Sequence, residues 1–462
     1  MYYLKSIKVI LIVLVFFTSC KEAKKTNEVA PSSQNEVAAV ANNWYKNSNI
    51  YEVNLRQYSS EGTFKAFARS LPRLKEMGVE ILWFMPITPI GIEGRKVTAN
   101  DLGSYYAVRN YTAVNEAYGT MDDWKALVNE AHSMGFKVIT DWVANHSAPD
   151  NPWLKKYPEF YEKDSAGNII SPFDWTDTRK LNYKNPVLRD SMIAAMKFWI
   201  TETGIDGFRC DVAGEVPTDF WKDCITSLRA VKPAIFMLAE AEKAELHTVG
   251  FNASYAWGAM GAMNDLYSGK KSLAQFDSLL TANIKSHPAD AARMFFTTNH
   301  DENSWNGTEF EKFGNAYKTF AVLSTTMAQS IPLIYSGQEM PNKRRLKFFV
   351  KDSIQWNGKY EMAAFYKTLL TLRKTNPALS TDAAYKKLTS SNDQAVFSFV
   401  REKDGRKAVM VFNMSGKGQK FMIKDPVING EPLNLFMGVT EKISDRHEFS
   451  VEPWGYIVYD YK

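Results

Sequence analysis

Gly207-Phe208-Arg209-Cys210-Asp211 is followed by Ile235-Phe236-Met237-Leu238-Ala239-Glu240, whose carboxylate stands 29 positions after that of Asp211. Each run is short and mostly apolar, and each ends on an acid. Runs of four to six residues rich in branched and aromatic side chains read as strands buried on both faces. Similar runs occupy residues 50–55, 81–85, 137–141, 294–298 and 331–335, and the interval between Glu240 and Asp301 leaves room for one more near 251–257. Between them lie helical patterns. Phe64, Phe67, Leu71, Leu74 and Met77 recur at three- and four-residue spacing before Gly78, and Trp124, Leu127, Val128, Ala131 and Met134 do so before Gly135.

Strand, helix and strand at this period mean repeated βαβ units and a parallel sheet. Eight such strands predict a (β/α)8 TIM barrel over residues 44–378. Two intervals are stretched. One carries an insertion at about 88–111, and the 70 residues from Asp141 to Asp211 leave room for a small inserted loop domain at about 146–184 after the third strand. The open doubly wound sheet usually has a glycine-rich phosphate turn after its first strand. Here that strand runs into Arg56-Gln57-Tyr58. After Leu379 the period changes to two, as in Ala395-Val396-Phe397-Ser398-Phe399-Val400. Residues 379–462 therefore read as a C-terminal antiparallel β-sandwich.

Composition agrees with a sizeable packed core: 45% of residues are hydrophobic and 23% charged. The net charge is +5, two of which are Lys5 and Lys8 near the N-terminus. No basic stripe interleaved with aromatics is present, so a nucleic-acid partner is not expected. Three cysteines do not make a disulfide framework, and no zinc-type spacing occurs. Cys210 alternates away from Asp211 and reads as packing.

Lys5 and Lys8 precede an apolar run of nine residues, 9–17, too short for the roughly twenty that span a bilayer. Phe17-Thr18-Ser19-Cys20 follows. Residues 1–20 resemble a bacterial lipoprotein signal, which implies lipidation at Cys20, export, and a membrane partner through that lipid on the cell envelope. An ordinary signal peptide is the other reading. The polar stretch 21–43 reads as a flexible tether.

Catalytic groups of a parallel barrel sit at the C-terminal ends of its strands. Those ends read Asp141-Trp142-Val143-Ala144-Asn145-His146, Arg209-Cys210-Asp211, Glu240, and Asn299-His300-Asp301. Glycoside cleavage needs such a set: one carboxylate at the anomeric carbon, a second to protonate the leaving oxygen, and a cation beside the first.

These motifs, in this order, resemble the α-amylase family of glycoside hydrolases (family 13 type) from about residue 49 to the end. Asp141 with Asn145-His146, Gly207-Phe208-Arg209 with Asp211, Glu240, and Asn299-His300-Asp301 look like its four motifs. Tyr106 matches a tyrosine that stacks on the sugar, and Ser336-Gly337-Gln338-Glu339 matches the turn after strand eight. The resemblance implies Asp211 as nucleophile, Glu240 as general acid and base, Asp301 as a sugar-distorting carboxylate, Arg209 as the group that keeps Asp211 ionised, and His146 and His300 as hydrogen-bond donors to the same sugar. It implies retention of configuration, with carboxyls about 5–5.5 Å apart. The chemistry needs no cofactor. A structural calcium is implied at Asn145, with Asp177 as a partner, although a loop hydrogen bond would equally occupy Asn145; Asp141 reads as orienting its neighbours. The Lys-His pair often found after the second motif is Gly214-Glu215 here, and the residue before Tyr111 is Asn110 rather than Asp. The expected substrate is a starch- or maltodextrin-type α-glucan. A transglycosylase, a narrow α-glucosidase or an inactive glycan-binding lipoprotein are the alternatives.

Overall fold

The computed structural model describes residues 43–95 and 100–462. The leader, Cys20 and all of the tether but Asn43 lie outside the described residues. Eight parallel strands close in sequence order: β1 (Ile50–Val53), β2 (Ile81–Phe84), β3 (Lys137–Val143), β4 (Gly207–Asp211), β5 (Phe236–Ala239), β6 (Ala253–Tyr255), β7 (Ala292–Phe295) and β8 (Ser330–Tyr335). The ring closes where Ile50 pairs with Leu333.

Alternation along the strands divides the core. Ile50, Ile81, Trp83, Ile139, Phe236, Leu238 and Met294 join one buried cluster. Their neighbours Tyr51, Leu82, Phe84, Val138, Phe208 and Met237 pack outward against helical Leu74, Trp124 and Leu127. The same parity puts Glu52, Trp83, Asp141 and Arg209 on one side of the sheet, because Glu52 lies beside Trp83 and Asp141 beside Arg209 in the register. Gly207 is required by close approach: a Cβ there would meet the Phe236 carbonyl oxygen at 2.0 Å.

Three strand ends differ from the sequence reading. β1 stops at Val53, because a four-residue helix starts at Leu55. β3 runs on to Val143. β7 spans Ala292–Phe295 rather than 294–298, so Thr297, Thr298 and Asn299 leave the ladder and carry His300 and Asp301 to the mouth. In the segment after β3, His146–Ser147 pairs antiparallel with Arg179–Lys180.

Beyond the barrel, a six-stranded antiparallel sheet faces a two-stranded one, Gln419–Met422 with Glu448–Val451. Val396, Val400, Val409 and Val411 meet Phe421, Phe449 and Val451 between them. The opposite face of the large sheet, with Phe397, Phe399, Met410 and Phe412, joins the barrel cluster.

Candidate active site

Arg209 is wholly buried and lies among carboxylates from three strands. Nη1 donates to Asp141 Oδ1 at 2.8 Å and to Asp211 Oδ1 at 3.0 Å, and Nε donates to the Tyr255 hydroxyl at 3.1 Å. Nη2 lies 2.8 Å from Glu240 Oε1, yet it has no aligned hydrogen-bond partner among the described residues. Distance makes this an ion pair; angle leaves Glu240 loosely held. Trp83, Tyr106 and Tyr255 rings surround the guanidinium at 5.2, 5.6 and 5.5 Å, a geometry that suits arginine more than lysine.

Glu240 follows β5, and its Oε2 accepts the Val212 N–H at 2.7 Å. Val212 adopts φ 36°, ψ 44°. A β-branched residue is strained in this left-handed region. The turn after β4 thus aims a backbone donor at the carboxylate of the next strand. Burial and the Glu240 carboxylate both push Asp211 well above the usual carboxylate range, against the pull of Arg209. Asp141 is pushed up to about 6 by burial, again opposed by Arg209.

On the opposite wall, His300 Nε2 lies 2.8 Å from the Tyr106 hydroxyl and 3.2 Å from Asp301 Oδ2. Burial pushes Asp301 up, but the His300 charge outweighs it and leaves this carboxyl below its ordinary value. His146 differs. It is buried without a charged partner and pushed down to about 3, hence neutral at ordinary pH. Its Nε2 has no hydrogen-bond partner among the described residues, and the residue lines the cleft.

That cleft has a volume of about 320 Å³ and is lined by Tyr106, His146, Asp211, Glu240 and Asp301. Of the seven residues expected to react or bind, these five line it; Arg209 and His300 lie behind them, in contact with the carboxylates. Four aromatic rings in the same lining were not foreseen: Trp175, Trp305, Phe348 and Phe349. Phe348 stacks against Tyr106 at 6.4 Å and lies tilted against Trp305 at 5.5 Å. Trp175, Phe348 and Phe349 sit in loops and Trp305 in a five-residue helical turn, Glu302–Asn306, too short to carry a period that would reveal which way a ring faces. Glu52 was also missed, although it stands out as the one charged side chain in the first apolar run.

The calcium pairing does not take the expected form. Asn145 is buried, with Nδ2 3.3 Å from His146 Nδ1, while Asp177 lines the cleft. Calcium takes six to eight oxygen ligands. Among the described residues no group of three or more Asp, Glu, His or Cys side chains is placed to hold a metal.

The alpha amylase catalytic-domain model matches residues 31–177 and 172–368. Alpha-amylase 3 of Dictyoglomus thermophilum is 24% identical, over 86% of this chain and 91% of its own. Alpha-1,4-glucan:maltose-1-phosphate maltosyltransferase of Rhodospirillum rubrum is 29% identical, over 75% of this chain and 54% of its own. The solved structure of the maltogenic alpha-amylase AmyB from Thermotoga neapolitana superposes with a TM-score of 0.82 and 28% identity, covering 90% of this chain and 99% of that one. An eight-stranded barrel with this arrangement of carboxylates at its mouth, and a family match across most of its length, place the chain in the alpha-amylase family of glycoside hydrolases.

Proposed function

We propose that the enzyme hydrolyses α-1,4-glucosidic bonds of starch- or maltodextrin-type glucans with retention of configuration. The supporting observation is the bridge from one guanidinium to both Asp211 and Glu240, at 3.0 and 2.8 Å. A single arginine in contact with both carboxyls favours the ~5–5.5 Å separation of retaining enzymes over the ~6.5–9.5 Å that leaves room for an inverting water.

Asp211 attacks the anomeric carbon and forms a glycosyl–enzyme; Glu240 protonates the departing oxygen and then takes a proton from the incoming water. This chemistry requires Asp211 ionised and the proton on Glu240 when the sugar is bound. The loose Glu240–Arg209 contact supports this: a ligand that displaces Glu240 leaves the guanidinium to Asp211, which then ionises. Asp301 and His300 hold ring hydroxyls, His146 offers Nε2 to the same sugar, and Tyr106 provides a stacking face.

Maltoheptaose incubated with the protein from about residue 40 on tests this. Shorter maltooligosaccharides are expected, and Asp211→Asn should lower kcat by about 10⁴-fold or more. Full activity in that variant would overturn the assignment. Longer products would favour the transfer reaction in the name of the Rhodospirillum relative. No turnover of any α-glucoside would favour a glycan-binding role. Attachment to the cell envelope through lipidated Cys20 belongs to the same proposal: Cys20→Ala should move the full chain from the membrane to the soluble fraction.

A further inference from the structure

Glu52 is fully buried in β1, within a strand whose other residues, Ile50, Tyr51 and Val53, are buried too. Its Oε1 lies in hydrogen-bond contact with His300 Nδ1. Its Oε2 has no hydrogen-bond partner among the described residues. A buried carboxylate with a bare oxygen weakens a fold, and an apolar residue would serve this strand better. Such a group is retained where a site uses its charge.

His300 is held between two carboxylates, Glu52 at Nδ1 and Asp301 at Nε2. A neutral imidazole has one N–H. If Glu52 takes it, a bare Nε2 lone pair faces Asp301. A neutral Nε2 could accept the Tyr106 hydroxyl hydrogen at 2.8 Å, but it would still present a lone pair to the Asp301 carboxylate at 3.2 Å; the doubly protonated ring instead sets a positive charge between the two carboxylates. The ring's orientation is fixed as well, by edge contact with Trp83 at 6.0 Å and stacking on Tyr106 at 5.7 Å.

We propose that Glu52 is a positioning residue of the reaction, holding His300 as an imidazolium whose Nε2 proton is directed at Asp301 and at a hydroxyl of the bound sugar. The inference deepens the reading in which His300 and Asp301 bind that sugar. The charged and titratable groups around the ring are Glu52 of β1, Tyr106, Asp141 of β3, Arg209 of β4 and Asp301. Tyr255 and Tyr335 face Glu52 from β6 and β8. Burial alone would strip the ring of its extra proton; Asp301 and Glu52 outweigh burial and raise His300 well above an ordinary histidine. The charge is thus present below that raised value and lost only as pH rises through it.

The chain has six histidines, so 15N-histidine NMR of the protein, with His300→Asn to assign the resonance, can follow this ring directly. Both ring nitrogens should be protonated at pH 8 in the wild type. Glu52→Gln keeps the shape and removes the charge; its His300 should be neutral at pH 8, and kcat/KM on maltoheptaose at that pH should fall about tenfold or more, the factor that one pKa unit represents. A smaller loss at pH 6 would distinguish this from simple misfolding. A neutral His300 in the wild type at pH 8 overturns the proposal without recourse to any variant. So does a Glu52→Gln ring that keeps both protons. If His300→Asn leaves kcat/KM unchanged, the sugar-binding reading fails, whatever the ring's charge.

Discussion

Trp305 exposes 54% of its surface beside a cleft whose other aromatic rings are more deeply set. It leans on Phe348 and Phe349 and contributes to no core cluster among the described residues. A ring so placed offers a stacking face to a sugar away from the bond that breaks. Trp305→Ala should therefore raise KM on maltoheptaose about five- to tenfold, equivalent to ~1–1.4 kcal/mol, with kcat and melting temperature nearly unchanged. A fall in kcat at constant KM would mean that the ring acts on the transition state instead. Sequence made the reacting groups legible for a physical reason: Asp211, Glu240 and Asp301 follow apolar runs whose ends define the barrel mouth. Trp305, in a single helical turn, and Trp175, in a loop, were illegible because in such short segments a ring facing a cleft and one packed inward have the same local sequence.

At the other end of the barrel, Asp206 ties four elements together just before β4. It accepts the Val138 N–H of β3 at 2.9 Å, and it meets His132 at 2.7 Å, Lys137 at 3.3 Å and Lys232 at 2.9 Å. His132 belongs to the helix Met121–Ser133, and Lys232 caps the helix Thr218–Val231. Burial opposes the charge of Asp206, but these donors win and depress its carboxyl far below the ordinary value. A depressed carboxyl stabilises the fold above its unfolded pKa of about 3.9 and loses that contribution as pH falls. Its cationic partners are partly exposed and can be rehydrated, so Asp206→Asn should cost a moderate ~1–3 kcal/mol at pH 7. Urea unfolding of both proteins should show the gap shrinking below about pH 4; a gap constant from pH 7 to pH 3 would refute the linkage. The helix that brings His132 was legible, because apolar spacing and Gly135 mark it; the helix Thr218–Val231 ends without a glycine and was not read from the sequence. β6 was legible only as an interval. Ala253–Tyr255 is three residues long, too short to carry a pattern of its own.

The whole molecule is tied together by buried arginines that bond to backbone rather than to acids. Arg373, on the last barrel helix, donates to the carbonyls of Lys46, Ser48, Thr325, Ser330 and Leu379. Arg401, in the C-terminal sheet, donates to those of Thr326, Met327, Ser380, Ala383 and Ala384. Thr326 ends a barrel helix, so Arg401 reaches out of its own sheet to complete the polar ends of the barrel. The apolar core is continuous across the same junction, where Phe397 and Phe412 join Phe276 and Phe320. Alternation in the sequence made the sheet visible, but which face would dock on the barrel could not be read, since Val400 and Phe399 are equally apolar. Two parts that share both a core and buried polar ends should unfold as one. Calorimetry is expected to give a single transition, and Arg401→Met should lower it by ~3–5 kcal/mol in stability while keeping it single, because five carbonyls lose their donor at once. A split into two transitions, with the barrel outlasting the sheet, would mean that the C-terminal part is an accessory. A single lowered transition would mean that the cleft, built from residues earlier in the chain, depends on that sheet to stay formed.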